Sequence, residues 1–171
     1  MRKTCWKVAM VALLVALPAL AGDDLQERPP SSFVTLAPVG PVQIPVGGGT
    51  PLQLTFVVGS GLHINSHKPN SDLQIPTTLK LNLPTDLGVG RVEFPAGQDL
   101  TFSFAPDVKL SVYSGEFAVK ARMSAVRTAA TGNFTVHGTL HYQACDDKLC
   151  YPPKDLDFAF NVKVVRVSRR R

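Results

Sequence analysis

Cysteine, tryptophan and long apolar runs are scarce in this chain of 171 residues. It has three cysteines and one tryptophan. Cys5 stands ahead of the first apolar run, so the body of the chain holds only Cys145 and Cys150. A scaffold held by several bridges is thereby excluded. After residue 20 no segment approaches the roughly 20 apolar residues that a membrane-spanning helix needs. No apolar stripe of period 3.6 is long enough for a core helix. No period of 20–50 residues recurs, which excludes a repeat array. A strong charge of one sign is also missing. The 18 Lys+Arg exceed the 13 Asp+Glu, but Arg2, Lys3 and Lys7 sit at the extreme N-terminus and Arg166, Arg169, Arg170 and Arg171 at the other end. The body between is near neutral, so no nucleic-acid-binding surface is expected, and Arg169, Arg170 and Arg171 read as a short solvated basic tail.

What is present begins with an address. Arg2, Lys3 and Lys7 precede an apolar run over residues 8–20, and Ala19-Leu20-Ala21 supplies the small residues of a cleavage site. Pro18 interrupts the run, which is too short for a membrane anchor. Residues 1–21 are therefore expected to be a cleaved signal peptide, taking Cys5 with them. Gly22 would begin a mature chain that is secreted or periplasmic, with no membrane span. Residues 22–40 hold Arg28-Pro29-Pro30-Ser31-Ser32, with Pro38 and Pro41 close by, and should be extended or flexible. Residues 41–168 form the expected domain, and 169–171 the tail.

Within that domain the apolar period is two. Leu52, Leu54 and Phe56 alternate with polar residues, as do Leu79, Leu81 and Leu83. So do Phe117, Val119, Ala121 and Met123, and then Leu156, Phe158, Phe160, Val162 and Val164. These are half-buried antiparallel strands. Turn-forming clusters such as Pro69-Asn70-Ser71-Asp72 and Gly88-Val89-Gly90 separate them. Seven or eight such strands predict an all-β sandwich or small barrel.

The chemistry lies in His141-Tyr142-Gln143-Ala144-Cys145-Asp146-Asp147-Lys148-Leu149-Cys150-Tyr151-Pro152-Pro153. One strand leads into it and another leaves it, so the cysteines should sit at the end of a hairpin. Four intervening residues can turn far enough to bring their Cα atoms within disulfide range, about 4.4–6.8 Å. Spacing alone leaves a redox couple and a structural bridge both open. Closing so short a loop contributes only about 2 kcal/mol, which a domain with its own core does not depend on. A zinc or copper site is a third reading. His63 and His67 share one face of an extended segment over residues 62–68, and His137 and His141 share a face of the strand before Cys145. The CxxxxC spacing nevertheless departs from the usual tight metal knuckle. Asn133-Phe134-Thr135 fits the N-glycosylation pattern, a short motif that matches often by chance.

The stretch from Tyr142 to Pro153 resembles the active-site hairpin of a known family. These are the N-terminal domains of the bacterial thiol–disulfide interchange reductase DsbD, with the related stand-alone disulfide bond corrector domains. Gly61-Leu62-His63-Ile64-Asn65-Ser66-His67-Lys68-Pro69, Val92-Glu93-Phe94-Pro95-Ala96-Gly97 and Leu110-Ser111-Val112-Tyr113-Ser114-Gly115-Glu116 match further stretches in the same order. The resemblance implies an immunoglobulin-like antiparallel β-sandwich carrying Cys145 and Cys150 as a redox couple on a hairpin, with no cofactor and no metal. It implies a monomeric periplasmic relay, a component of a protein-disulfide reductase system. Electrons would pass from a thioredoxin-like donor to disulfide isomerases or cytochrome c maturation proteins. Cys150 would be the sulfur that joins the partner. Phe102 and Phe104 would belong to a shielding cap, and His63 and Asn65 fall where better-known members carry tyrosines. Tyr142, Asp146 and Tyr151 would flank the pair. Enterobacterial members place one more residue between the cysteines, so the hairpin tip should differ. No membrane electron conduit or thioredoxin domain follows in this sequence, so the donor is expected to act in trans. A metal-binding sandwich and an interaction domain with a static bridge are the competing readings.

Asp146 and Asp147 beside Cys145 disfavour a thiolate there, and Lys148 offsets only part of this. With no helix N-terminus at the motif, the pair should exchange only with an aligned partner.

Overall fold

A strand that alternates apolar and polar residues has one oily face, which it can bury only against a second sheet. The computed structural model describes residues 32–72 and 74–167, and among these it contains twelve strands. They are β1 (Val34–Leu36), β2 (Val42–Pro45), β3 (Gly49–Val58), β4 (His63–Asn65), β5 (Thr78–Asn82) and β6 (Leu87–Val89). The second half adds β7 (Gln98–Phe102), β8 (Ala105–Tyr113), β9 (Glu116–Ala125), β10 (Gly132–Tyr142), β11 (Ala144–Cys145) and β12 (Lys154–Val165). They form three sheets, ordered β1-β3-β9-β6, β2-β12-β10-β5 and β11-β4-β8-β7. Every pairing is antiparallel except that of β2 with β12.

The first two sheets are the layers of an immunoglobulin-like sandwich. Leu52, Leu54, Phe56, Val119 and Met123 are buried from one layer, and Val136, Leu140, Phe160, Val162 and Val164 from the other. Phe56 links them, its ring 5.5 Å from Phe117 on the neighbouring strand and 5.7 Å, edge-on, from Phe158 of the second sheet. Aromatic pairs at such separations contribute about 0.5–1.5 kcal/mol beyond their burial. Gly138 lies opposite Phe158 in the β10–β12 register. A Cβ there would come within 2.3 Å of the Phe158 ring, so glycine leaves room for the ring to cross the strand.

Two expectations need adjustment. The long alternating strands are where the pattern puts them, but β1, β4, β6 and β11 are only two or three residues long, too short for alternation to register. The segment expected to be extended or flexible as far as Gly40 is partly core. Phe33 and Val34 are buried, and β1 pairs with β3 from Val34 opposite Val58. Extended backbone suits both a proline-rich stretch and a strand, and the apolar Phe33-Val34 decides for the strand. Residues 1–31, with the expected signal peptide, and the tail at 169–171 lie outside the described residues.

The third sheet matters most for function. The chain leaves the sandwich at the end of β10, crosses to pair β11 with β4, and returns as β12. The cysteines lie on that excursion.

Candidate functional site

The excursion over residues 143–153 cannot continue the β10–β12 ladder, because Pro152 and Pro153 have no N–H to donate. Instead Ala144 and Cys145 pair with Ile64 and His63 of β4. Cys145 and Cys150 then face each other as an antiparallel bridge. The Tyr151 amide donates to the Ala144 carbonyl (2.8 Å) on one side, and the Asp146 amide to the Leu149 carbonyl (3.0 Å) on the other. The second bond closes a tight turn over residues 146–149. Asp146 Oδ1 secures that turn by accepting from the Lys148 and Leu149 amides, both at 2.8 Å. This is the local bond that makes aspartate a turn residue.

The two cysteines form a disulfide, with their Cα atoms 3.9 Å apart. This is closer than the range expected from spacing, because the cysteines occupy a directly opposed, non-hydrogen-bonded pair, where strand backbones approach most closely. They are unequally placed. Cys145 is fully buried, whereas Cys150 is exposed.

Next to Cys150 in the chain, Tyr151 packs against Phe33 with its ring tilted (4.7 Å between centroids, 36° between planes), and Lys154 Nζ sits 4.1 Å over the Phe33 ring. The Tyr151 hydroxyl donates to Asp146 Oδ2 at 2.7 Å. The Leu149 amide, then the Tyr151 hydroxyl and the Lys148 amide, hold the Asp146 carboxyl below its usual range. The bond to Asp146 pushes the Tyr151 phenol up. Asp146 is therefore built into the turn rather than standing as a bare charge beside Cys145.

The tip of the β7–β8 hairpin meets β4 at His63. Phe102 stacks on His63 at 3.8 Å and 15°, and Phe104 on Phe102 at 5.6 Å and 10°. Ser103, between the two phenylalanines, donates its hydroxyl to the Asp147 carbonyl. Phe102 is half-buried and Phe104 is 38% exposed, so neither belongs to the sandwich core. His63 is buried, and its Nε2 has no hydrogen-bond partner. Burial lowers its pKa, and the Asp146 charge opposes this in part.

Asn65 ties the hairpin base to β4. Its Nδ2 donates to Ile75 O and Gln143 Oε1, both at 3.1 Å, and its Oδ1 accepts from Gln74 Nε2 at 2.8 Å. Gln143 Nε2 in turn donates to the Tyr151 carbonyl at 3.1 Å. Tyr142 is buried in the sandwich core at the end of β10. Gln143, Ser103 and Phe33 contribute contacts that sequence reasoning did not single out. Gln143 and Ser103 stand next to residues it did single out, and adjacency was the one available signal.

The histidines do not converge. His67 stacks on Phe94 at 4.2 Å, with Nδ1 2.9 Å from the Thr77 carbonyl. His141 pairs with Asp155 at 2.6 Å, and His137 is exposed on β10. Among the described residues no group of three or more His, Cys, Asp or Glu side chains comes together as a metal site.

The family model described as thiol:disulfide interchange protein DsbD, N-terminal, matches residues 31–161. The chain belongs to this family. With membership come thiol–disulfide interchange as its chemistry and the periplasm as its place of action, as a relay component rather than a free-standing catalyst. No curated protein matches the chain. Among solved structures it is similar to the reduced N-terminal domain of DsbD from Neisseria meningitidis. The identity is 23% over 66% of this chain and 80% of that one, with a TM-score of 0.42. It is also similar to the complex between the DsbD N-terminal and PilB N-terminal domains of the same organism (21% identity, 80% of this chain and 88% of that one, TM-score 0.45). A third is the N-terminal periplasmic domain of ScsB from Proteus mirabilis (13% identity, 75% of this chain and 43% of that one, TM-score 0.45).

Proposed function

We propose that Cys145 and Cys150 are the redox couple of this relay. A thioredoxin-like donor reduces them, and they pass the electrons to disulfide-bearing periplasmic acceptors such as disulfide isomerases or cytochrome c maturation proteins. The unequal exposure of the two sulfurs carries this reading. Exchange needs a thiolate to approach along the S–S axis of an accessible sulfur. Cys150 is exposed and can be attacked, while Cys145 is fully buried, opposite His63 in the β4–β11 pair. Cys150 is thus the sulfur that joins the partner, and Cys145 is the sulfur that leaves and returns.

The surroundings support a bridge that opens without consequence for the fold. The Asp146 turn, the Tyr151–Phe33 ring contact and the Asn65–Gln143 bond all hold the hairpin independently of the disulfide. Phe102, Phe104 and Ser103 act as a cap on the Cys145 side, which leaves Cys150 open to the partner.

Trapping tests the assignment. With Cys145→Ala, an exchange that starts at Cys150 cannot be resolved, so a mixed disulfide with a thioredoxin-like protein should accumulate in periplasmic extract. Cys150→Ala should trap little. Equal trapping by both variants, or none by either, would contradict the assignment of roles.

A further inference from the structure

His63 is an unusual neighbour for a disulfide. It lies directly opposite Cys145 in the β4–β11 pair, and residues so opposed present their side chains on the same face of the sheet, with Cβ atoms about 4.5–5.5 Å apart. It is 4% exposed, and Phe102 covers the ring face to face at 3.8 Å. Buried polar atoms nearly always find a partner, and leaving one unpaired costs about 1–3 kcal/mol. His63 Nε2 has none. In the disulfide form Cys145 has no proton to offer; once reduced, it brings an S–H to the position opposite the residue that carries this unpartnered nitrogen.

We propose that His63 takes the proton of the Cys145 thiol when that sulfur closes on Cys150. The inference rests on the relay reading above, in which Cys145 is the buried, returning sulfur. An acceptor disulfide is first attacked by Cys150, which leaves Cys150 joined to one acceptor sulfur and releases the other as a thiol. The Cys145 S–H bond then breaks, and its proton moves to His63 Nε2. The sulfur's electron pair attacks Cys150 Sγ, and the bond from Cys150 to the acceptor breaks, its electron pair leaving on the acceptor sulfur. That thiolate takes a proton, and the imidazolium returns its own to solvent. Two cysteine thiols are thereby oxidised to one disulfide, and the acceptor's disulfide is reduced to two thiols. In the opposite direction the imidazolium protonates Cys145 as it leaves.

The groups packed on His63 suit the role. β7 presents the uncharged Phe102, and β11 presents Cys145. Tyr113 of β8 lies opposite Ile64 and so on the other face of β4. Asp146 is the charge that acts on the ring, and it favours the transient imidazolium. Burial depresses the imidazole below its ordinary 6.5, so it is neutral and able to accept a proton at pH 7.

The test follows the lifetime of the mixed disulfide between Cys150 and glutathione after reduced protein meets oxidised glutathione, by mass spectrometry across pH 5–8. His63→Phe keeps a ring to stack on Phe102 and removes the nitrogen; His63→Gln keeps polarity and removes the base. In wild type, resolution should slow as pH falls through a midpoint below 6.5. Both variants should lose that step and resolve at least about tenfold more slowly at pH 7. Unchanged rates and profiles in the variants would overturn the role of His63 and leave the relay standing. Failure of wild type to form the Cys145–Cys150 bridge at all would instead overturn the relay. Should neither variant fold, the wild-type His63 imidazole can be followed by NMR in both redox states. Its titration must shift on reduction, and identical titrations contradict the proposal.

Discussion

The deciding contacts at the site are each made by one or two atoms, and single substitutions separate their roles. Phe102 and Phe104 are stacked, partly exposed and outside the sandwich core. Phe102→Ala should therefore speed alkylation of Cys145 in the reduced protein by a small thiol reagent. Its stability cost should fall below the roughly 3–5 kcal/mol of a buried Phe→Ala change. A large loss of stability without faster alkylation would make Phe102 a packing residue instead. Gly138 shows the opposite behaviour. A methyl group there meets the Phe158 ring, so Gly138→Ala should destabilise by about 1–3 kcal/mol in denaturant melts and leave thiol exchange untouched. Asp146 supplies a pH dependence. Its folded-state pKa lies below the usual carboxylate value, so its support of the turn is complete above that value and is lost as pH falls through the lower, folded-state one. The Lys148 and Leu149 amides should report this by NMR as faster hydrogen exchange in acid, and Asp146→Asn should flatten the response.

The strands legible in the sequence were those whose apolar and polar residues alternate, and the nine-residue β8, whose burial does not alternate, was not among them. β3, β9 and β12 each carry enough alternating residues for the pattern to be unmistakable, and they form the walls of the sandwich. β4 and β11 have three and two residues, which no periodicity can reveal, yet their pairing sets His63 against Cys145. The cysteine hairpin was legible through its two prolines and its spacing. Its attachment to a third sheet was not, because that depends on which distant strand accepts β11. The cap proposed at the β7–β8 tip was suggested only by family resemblance. The contact of that tip with the cysteine hairpin, the Ser103–Asp147 bond, joins residues 44 positions apart. The histidines show the limit in the other direction. His63 and His67 were expected on one face of an extended segment, but β4 ends at Asn65 and the two rings stack on different phenylalanines.

For the whole molecule, we propose export as the first event. Cleavage after Ala21 would give a product beginning at Gly22 and retaining Cys145 and Cys150 as its only cysteines. Intact mass of the exported protein checks this, and a product that keeps residues 1–21 would contradict it. We propose that the sandwich carries a bridge that opens and closes while the sheets stay folded. The loop between the cysteines is short, with a sequence separation of five, so its closure contributes only about 2 kcal/mol. The most direct test is an equilibrium titration of the native protein in a graded series of thiol–disulfide buffers. Trapping the free thiols should be combined with circular dichroism on the same samples. The pair should titrate reversibly as a single two-electron couple while the β-sheet signal stays constant. A bridge that resists reduction until the sheets unfold would contradict the account and mark Cys145–Cys150 as a structural crosslink.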